Sequence, residues 1–314
     1  MDVVLLFPGQ GSQKPGMGKD LHDAFAPARE VFAAVDAALG EALSSVCFNG
    51  PAETLTQTHY AQPALLAHSA AVWTLTREKL RPYVRAAAGH SLGEFTAHYA
   101  AGTFALADAA RIVRRRGELM YQAGVERPGA MAAILGHTSE SIDVICARAS
   151  ADPEGGVVVP ANYNSPGQIV ISGEVSGVEK AMELCKDAGA KRAMRLNVSG
   201  AFHSPLMDPA RDGLREALAS ATMHRAGVPV YANVSTEPVC DPGTVRALLV
   251  EQLTAPVRWI ELVQRLANDF PSATYVEMGP GSVLTGLVKK IAPNVTTMTC
   301  GTVPEVERLI AAVA

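Results

Sequence analysis

The chain has 314 residues, 48% of them hydrophobic, and a formal net charge of −4. That length supports one large core with room for a smaller inserted unit, and the acidic balance, with a pI near 6.1, argues against nucleic-acid binding. Five scattered cysteines, Cys47, Cys146, Cys185, Cys240 and Cys300, form neither a C-x-x-C pair nor a zinc spacing; they read as core residues of a reducing compartment, and no metal or cofactor is expected.

The first element is a short apolar run, Val3 to Phe7, stopped by Pro8-Gly9 and followed by the loop Gly9-Gln10-Gly11-Ser12-Gln13. It reads as a buried strand ending in a glycine-rich turn. The residues before and within it lack a basic segment, a long apolar core and a cleavage site. No uninterrupted apolar run of about 18 residues occurs anywhere, so a cytoplasmic chain with no membrane segment is expected. Helical patterns cover about 24 to 46 and 62 to 80, and Val84 to Ala88 is the next buried strand. That strand runs into Gly89-His90-Ser91-Leu92-Gly93-Glu94, and an alanine-rich helix is expected from about Glu94 to Ala101, with another from Asp108 to Met120.

From Gly129 to Val198 the order becomes strand (130 to 135), helix (139 to 149), strand (157 to 162), strand (168 to 172), helix (175 to 188), strand (192 to 197). This βαββαβ series is that of a ferredoxin-like unit, and its position inside an α/β chain predicts an insertion. The expected organisation is therefore a hydrolase-like parallel-sheet core from 1–128 and 199–314, interrupted by a ferredoxin-like subdomain at 129–198. Val228 to Asn233 and Thr274 to Met278 resume the buried-strand pattern, with a helix expected between them at Val245 to Leu253.

Gly89-His90-Ser91-Leu92-Gly93 is a G-x-S-x-G pattern between an apolar strand and a helix, the context that makes such a serine a nucleophile. An ordinary turn containing a serine is the bland alternative. A serine hydroxyl needs a base, and histidine suits neutral pH. Of the eight histidines, His203, in the turn-rich Gly200-Ala201-Phe202-His203-Ser204-Pro205, has the best context; His90 adjoins the serine and reads as support for the turn. In the 108–120 helix, advancing 100° per residue gathers Ile112, Val113, Leu119 and Met120 on one face with Arg116 in the middle of it, while Arg114 points nearly opposite and Arg111, Arg115 and Glu118 lie on the polar side. A guanidinium on a core-facing stripe requires an anionic partner, and both an internal carboxylate and a substrate carboxylate would serve. The loop after the first strand lacks a P-loop ending; it is either a bare turn or the donor of an oxyanion-binding N–H.

Taken in order, Phe7 to Gln13, Gly89 to Glu94, Arg116-Gly117, Asn162 to Gln168, the His203 loop and Val276 to Gly281 resemble the malonyl-CoA:acyl carrier protein transacylase family over essentially the whole chain. The resemblance implies a ping-pong transfer of malonyl from coenzyme A to an acyl carrier protein, with Ser91 as nucleophile and His203 as base. It further implies that the N–H groups of Gln10 and Leu92 form the oxyanion hole, that Arg116 holds the malonyl carboxylate, and that the Gln252 carbonyl orients the histidine. Gln62, Asn162 and Asn164 match polar residues of the family's cleft. The triplet Ala201-Phe202-His203 looks like that of malonyl-selective polyketide synthase acyltransferases, so Phe202 is expected to narrow the pocket against a methyl branch, and both fatty-acid and polyketide pathways stay open. Malonyl-CoA is a substrate, so no cofactor is implied. A serine thioesterase or hydrolase is the rival reading, and a non-enzymatic scaffold a more remote one. The basic clusters Arg111, Arg114, Arg115 and Lys191, Arg192, Arg195 are either solvated surface or a docking face for an acidic carrier. A monomer is expected, since no exposed apolar seam stands out.

Overall fold

The computed structural model describes residues 1–313; Ala314, the end of the expected catalytic segment, lies outside the described residues. Ten strands fall in two sheets. Six make the larger one: β1 (Val3–Phe7), β2 (Val84–Gly89), and four later strands. The smaller contains β3 (Gly129–Leu135), β4 (Val158–Ser165), β5 (Gln168–Glu174) and β6 (Arg192–Arg195). The larger is completed by β7 (Val230–Tyr231), β8 (Pro238–Val239), β9 (Thr274–Met278) and β10 (Thr296–Cys300), in the order β10-β9-β1-β2-β7-β8. All its neighbours are parallel except β7 and β8.

β1 shows why its run is apolar throughout rather than alternating. Val3, Leu5 and Phe7 enter one core and Val4 and Leu6 another, where Trp259, Leu262 and Leu266 of the helix Trp259–Asp269 cover the opposite face. A parallel strand covered by helices on both faces buries every side chain, and each large one contributes about 1.5–3 kcal/mol relative to exposure.

The smaller sheet is antiparallel throughout, in the order β4-β5-β3-β6. Ala130, Ala132 and Ile134 of β3 pack on the helices Ile142–Ala151 and Val175–Asp187, while Met131 and Ala133 face the main core. The smaller sheet is tied to the main body where Asn162 of β4 bridges Val257, just before the helix Trp259–Asp269, in parallel, with Tyr163 N–H donating to the Val257 carbonyl at 2.9 Å and Val257 N–H to that of Ala161 at 2.8 Å.

Several elements differ from expectation. The 24–46 helix is two, Ala26–Leu39 and Leu43–Asn49, because Gly40 turns left-handed at φ 68°. The second begins at Thr58 rather than 62, with Pro63 accommodated inside it, and the arginine-bearing helix runs from Leu106 to Glu126. The strand expected over 228–233 keeps only two paired residues. Arg114 is not solvent-facing: it is largely covered, ion-paired with Glu41 and stacked on the Tyr60 ring at 4.7 Å. No helix among the described residues is long and apolar enough to cross a membrane.

Candidate active site

β2 ends at Gly89, and the helix Leu92–Ala100 starts three residues later. So abrupt a reversal brings the helix onto the strands it follows. A Cβ on Gly89 would lie 1.9 Å from the Gly93 carbonyl carbon, and one on Gly93 would lie 2.0 Å from the Phe7 carbonyl oxygen, so both positions exclude a side chain. Between them Ser91 is held at φ 52°, ψ −105°, and His203 across the site at φ 57°. Non-glycine residues at such angles cost on the order of 1–3 kcal/mol each and persist where surrounding contacts over-determine them.

Those contacts are visible. Ser91-Leu92-Gly93-Glu94 has the S-x-x-E order of a helix capping box, yet neither arm closes. The Ser91 N–H donates to Asn233 Oδ1 at 2.7 Å, Asn233 Nδ2 donates to the Gly89 carbonyl at 2.7 Å, and the Ser91 hydroxyl makes no cap. Asn233, just past β7, has thus taken over the capping and left the hydroxyl free for chemistry.

Ser91 Oγ lies 2.8 Å from His203 Nε2. Nδ1 of that ring faces two carbonyl oxygens, of Gln252 at 2.9 Å and Ala255 at 3.2 Å. Only an N–H satisfies them, so the neutral ring carries its proton on Nδ1 and offers the Nε2 lone pair to the serine. His203 is 3% exposed; burial first and the neighbouring Arg116 charge second push its pKa down to about 3, which keeps it neutral at physiological pH. Among the described residues no carboxylate completes a triad: the Gln252 and Ala255 carbonyls fill that place. His90 turns away, its Nε2 2.8 Å from Asn164 Oδ1 and its ring near Trp259.

Arg116 is 1% exposed. Its Nη1 donates to Gln62 Oε1 at 2.8 Å, and its Nη2 to Gln252 Oε1 at 2.8 Å and Ser91 Oγ at 3.1 Å, while its carbon centre sits 5.2 Å from the Phe95 ring. Every partner is neutral. Among the described residues no carboxylate forms a salt bridge with it, and its buried Nε has no acceptor. Desolvation lowers its pKa to about 10, so it remains charged.

These groups surround a cavity of about 120 Å3 lined by Gln10, Ser91, Leu92, Arg116, Phe202 and His203, with Met131 and Asn162 contributed by the smaller sheet. Gln10 and Leu92 N–H groups have no acceptor among the described residues, and the latter begins a helix, where amides favour an anion. Gln62 and Asn164 do not line the cavity; they hold Arg116 and His90 from behind. The residues that sequence reasoning missed are Asn233 and, as a buried carboxylate, Glu94.

The acyl transferase domain family matches residues 4–308. A malonyl CoA-acyl carrier protein transacylase of Bacillus subtilis (strain 168) is 46% identical over 297 residues, covering 94% of this chain and 92% of that protein. Among solved structures, an acyl-carrier-protein-S-malonyltransferase from Bartonella henselae superposes with a TM-score of 0.94 at 43% identity, over 100% of this chain and 99% of that one. A malonyl-transacylase in complex with its type II polyketide synthase acyl-carrier protein also gives 0.94, at 40% identity, over 99% of this chain and 100% of that one.

Proposed function

The chain belongs to the acyl transferase domain family, and from that premise we propose that it moves a malonyl group from coenzyme A to the phosphopantetheine thiol of an acyl carrier protein. It is a malonyl-CoA:acyl carrier protein transacylase. The observation that carries the substrate class is Arg116: a buried charge among neutral partners, one hydrogen bond from the nucleophile. The Glu94 carboxylate reaches Arg116 only across Gln252; a buried cation without a directly bonded anion is costly by several kcal/mol, and a carboxylate on the acyl group supplies that partner, two charge-assisted bonds in the fork geometry of a guanidinium.

In the first half-reaction His203 Nε2 takes the Ser91 proton as Oγ attacks the thioester carbon. The Gln10 and Leu92 N–H groups hold the resulting oxyanion, each typically worth about 3 kcal/mol. Collapse breaks the carbon–sulfur bond, and His203 returns its proton to the departing thiolate. In the second half-reaction His203 deprotonates the carrier thiol, the sulfur attacks the serine ester, and Ser91 leaves with the proton. Serine, imidazole and two amides supply every step, so no cofactor is required. The 2.8 Å Ser91–His203 contact and the carbonyl-held Nδ1 support these roles.

The strand order β4-β5-β3-β6, with its two helices on one face, supports the finer reading of a ferredoxin-like subdomain at 129–198 set into a hydrolase-like core of 1–128 and 199–314. Cytoplasmic location and a monomeric state belong to the same proposal. A second reading, loading of a polyketide carrier in trans, is favoured by Phe202, which lines the cavity beside His203 as in the malonyl-selective triplet.

Mass spectrometry after brief incubation with malonyl-CoA tests the scheme. A malonyl adduct is expected on the Ser91 peptide, absent in Ser91→Ala, and cleared when carrier is added. Clearance by water at a competitive rate would make the chain a hydrolase, and no adduct would overturn the mechanism.

A further inference from the structure

Glu94 lies one turn beyond Ser91, 1% exposed, and the transfer scheme leaves it unused. Its Oε2 accepts the Asn233 N–H at 3.0 Å and Gln252 Nε2 at 2.7 Å. The same Gln252 amide donates from Nε2 to the Ser91 carbonyl at 3.1 Å and accepts at Oε1 from Arg116 Nη2, while its main-chain carbonyl receives His203 Nδ1–H. One glutamine therefore touches the nucleophile's backbone, the base and the cation, and Glu94 is the group that decides which way its amide faces.

We propose that Glu94 is a positioning residue: its carboxylate fixes the orientation of the Gln252 amide and thereby sets Arg116 for the acyl carboxylate. An ionised carboxylate only accepts. It must therefore face Nε2, which leaves Oε1 for the guanidinium. With the amide reversed, two donors would oppose each other at Arg116 and two acceptors at Glu94. The proposal rests on the reading of Arg116 as the partner of the acyl carboxylate.

Burial raises the Glu94 pKa to about 7, against the opposing pull of Asn233, Gln252 and the Arg116 charge. Near that pH Arg116 stays charged and His203 neutral, and burial also lowers the His90 pKa, against the opposing Asn164 hydrogen bond. A protonated Glu94 still turns one oxygen to the Asn233 N–H and Gln252 Nε2, so the amide orientation survives protonation.

Glutamine at 94 gives a discriminating test. The Asn233 N–H demands an acceptor, so the new side chain must place its oxygen there and keep receiving Gln252 Nε2; polarity survives without charge or a titrating proton. The measurement is the ratio of kcat/KM for malonyl-CoA to that for acetyl-CoA, both with carrier protein as acceptor. This ratio is independent of the folded fraction.

At pH 8, Glu94→Ala is expected to lower the ratio at least ten-fold and Glu94→Gln less than three-fold. An unchanged ratio in Glu94→Ala, or an equal loss in Glu94→Gln, overturns the assignment. Arg116→Ala separates the levels: if it too keeps the malonyl preference, the parent reading fails; if it loses the preference while Glu94→Ala keeps it, only the role of Glu94 fails.

Discussion

Replacing Arg116 by alanine tests the substrate reading most directly. The guanidinium is buried, with Nη2 3.1 Å from the Ser91 hydroxyl and Nε without an acceptor, so a malonyl carboxylate would meet it in a desolvated setting. Deleting one partner of a buried ion pair costs about 3–5 kcal/mol, and each 1.36 kcal/mol is ten-fold in rate. Malonyl kcat/KM should accordingly fall by roughly 10²- to 10³-fold or more. An acetyl group has no carboxylate to strand. Its transfer loses only the Arg116–Ser91 hydrogen bond, a neutral-acceptor contact worth about 1.5–3 kcal/mol at most, and gains a more basic His203, since the Arg116 charge is the second cause of the low pKa there. Midway through these ranges the malonyl-to-acetyl ratio should thus drop by roughly ten-fold or more. The assay is carrier-protein acylation from each thioester, followed by mass spectrometry, with thermal unfolding as a control on packing. Parallel losses for both acyl groups would refute the argument and leave Arg116 as a strut beneath the elbow.

Phe202→Ala should admit methylmalonyl-CoA, narrowing a discrimination that a tight pocket supports at about 1–3 kcal/mol; competition between the two thioesters for Ser91 reads it out. Glu94 should cost the protein stability at neutral pH. Its pKa is raised from 4.5 to about 7 on folding, so the favourable balance is full below the unfolded value and is lost as pH rises through the folded one, a span of roughly 3 kcal/mol. Glu94→Gln should therefore unfold at higher temperature than the original protein at pH 8, with the gap closing by pH 4.5; a gap that widens toward acid would contradict this. On the surface, Arg111, Arg115 and Arg195 are each paired with an acidic neighbour, whereas Lys191 and Arg192 are exposed and form no ion pair among the described residues. Charge reversal at Lys191 and Arg192 should slow carrier loading and flatten its salt dependence, and reversal at Arg111 and Arg115 should not.

Much of the site was legible because its signals are local. The elbow needs a strand, two glycines and a helix within about a dozen residues, and Arg116 betrayed itself by breaking an apolar stripe on its own helix. The βαββαβ order was readable for the same reason, with ends displaced by a few residues. What escaped depends on distant chain segments. Asn233 looks like the tail of a strand until it is seen 2.7 Å from Ser91 N–H, 142 positions away in sequence. Glu94 reads as an ordinary acidic residue in a first helical turn, and only the fold reveals that its partners are Asn233 and Gln252. Arg114 was misread because the wheel of one helix takes no account of Glu41 arriving from the loop after Gly40.

Gln252 serves the two halves of the site by different means. The base leans on its main-chain carbonyl, which every amino acid provides; the cation leans on its side-chain amide, which few do. Substitutions at this one position can therefore alter which acyl groups are welcomed while the support under His203 stays in place.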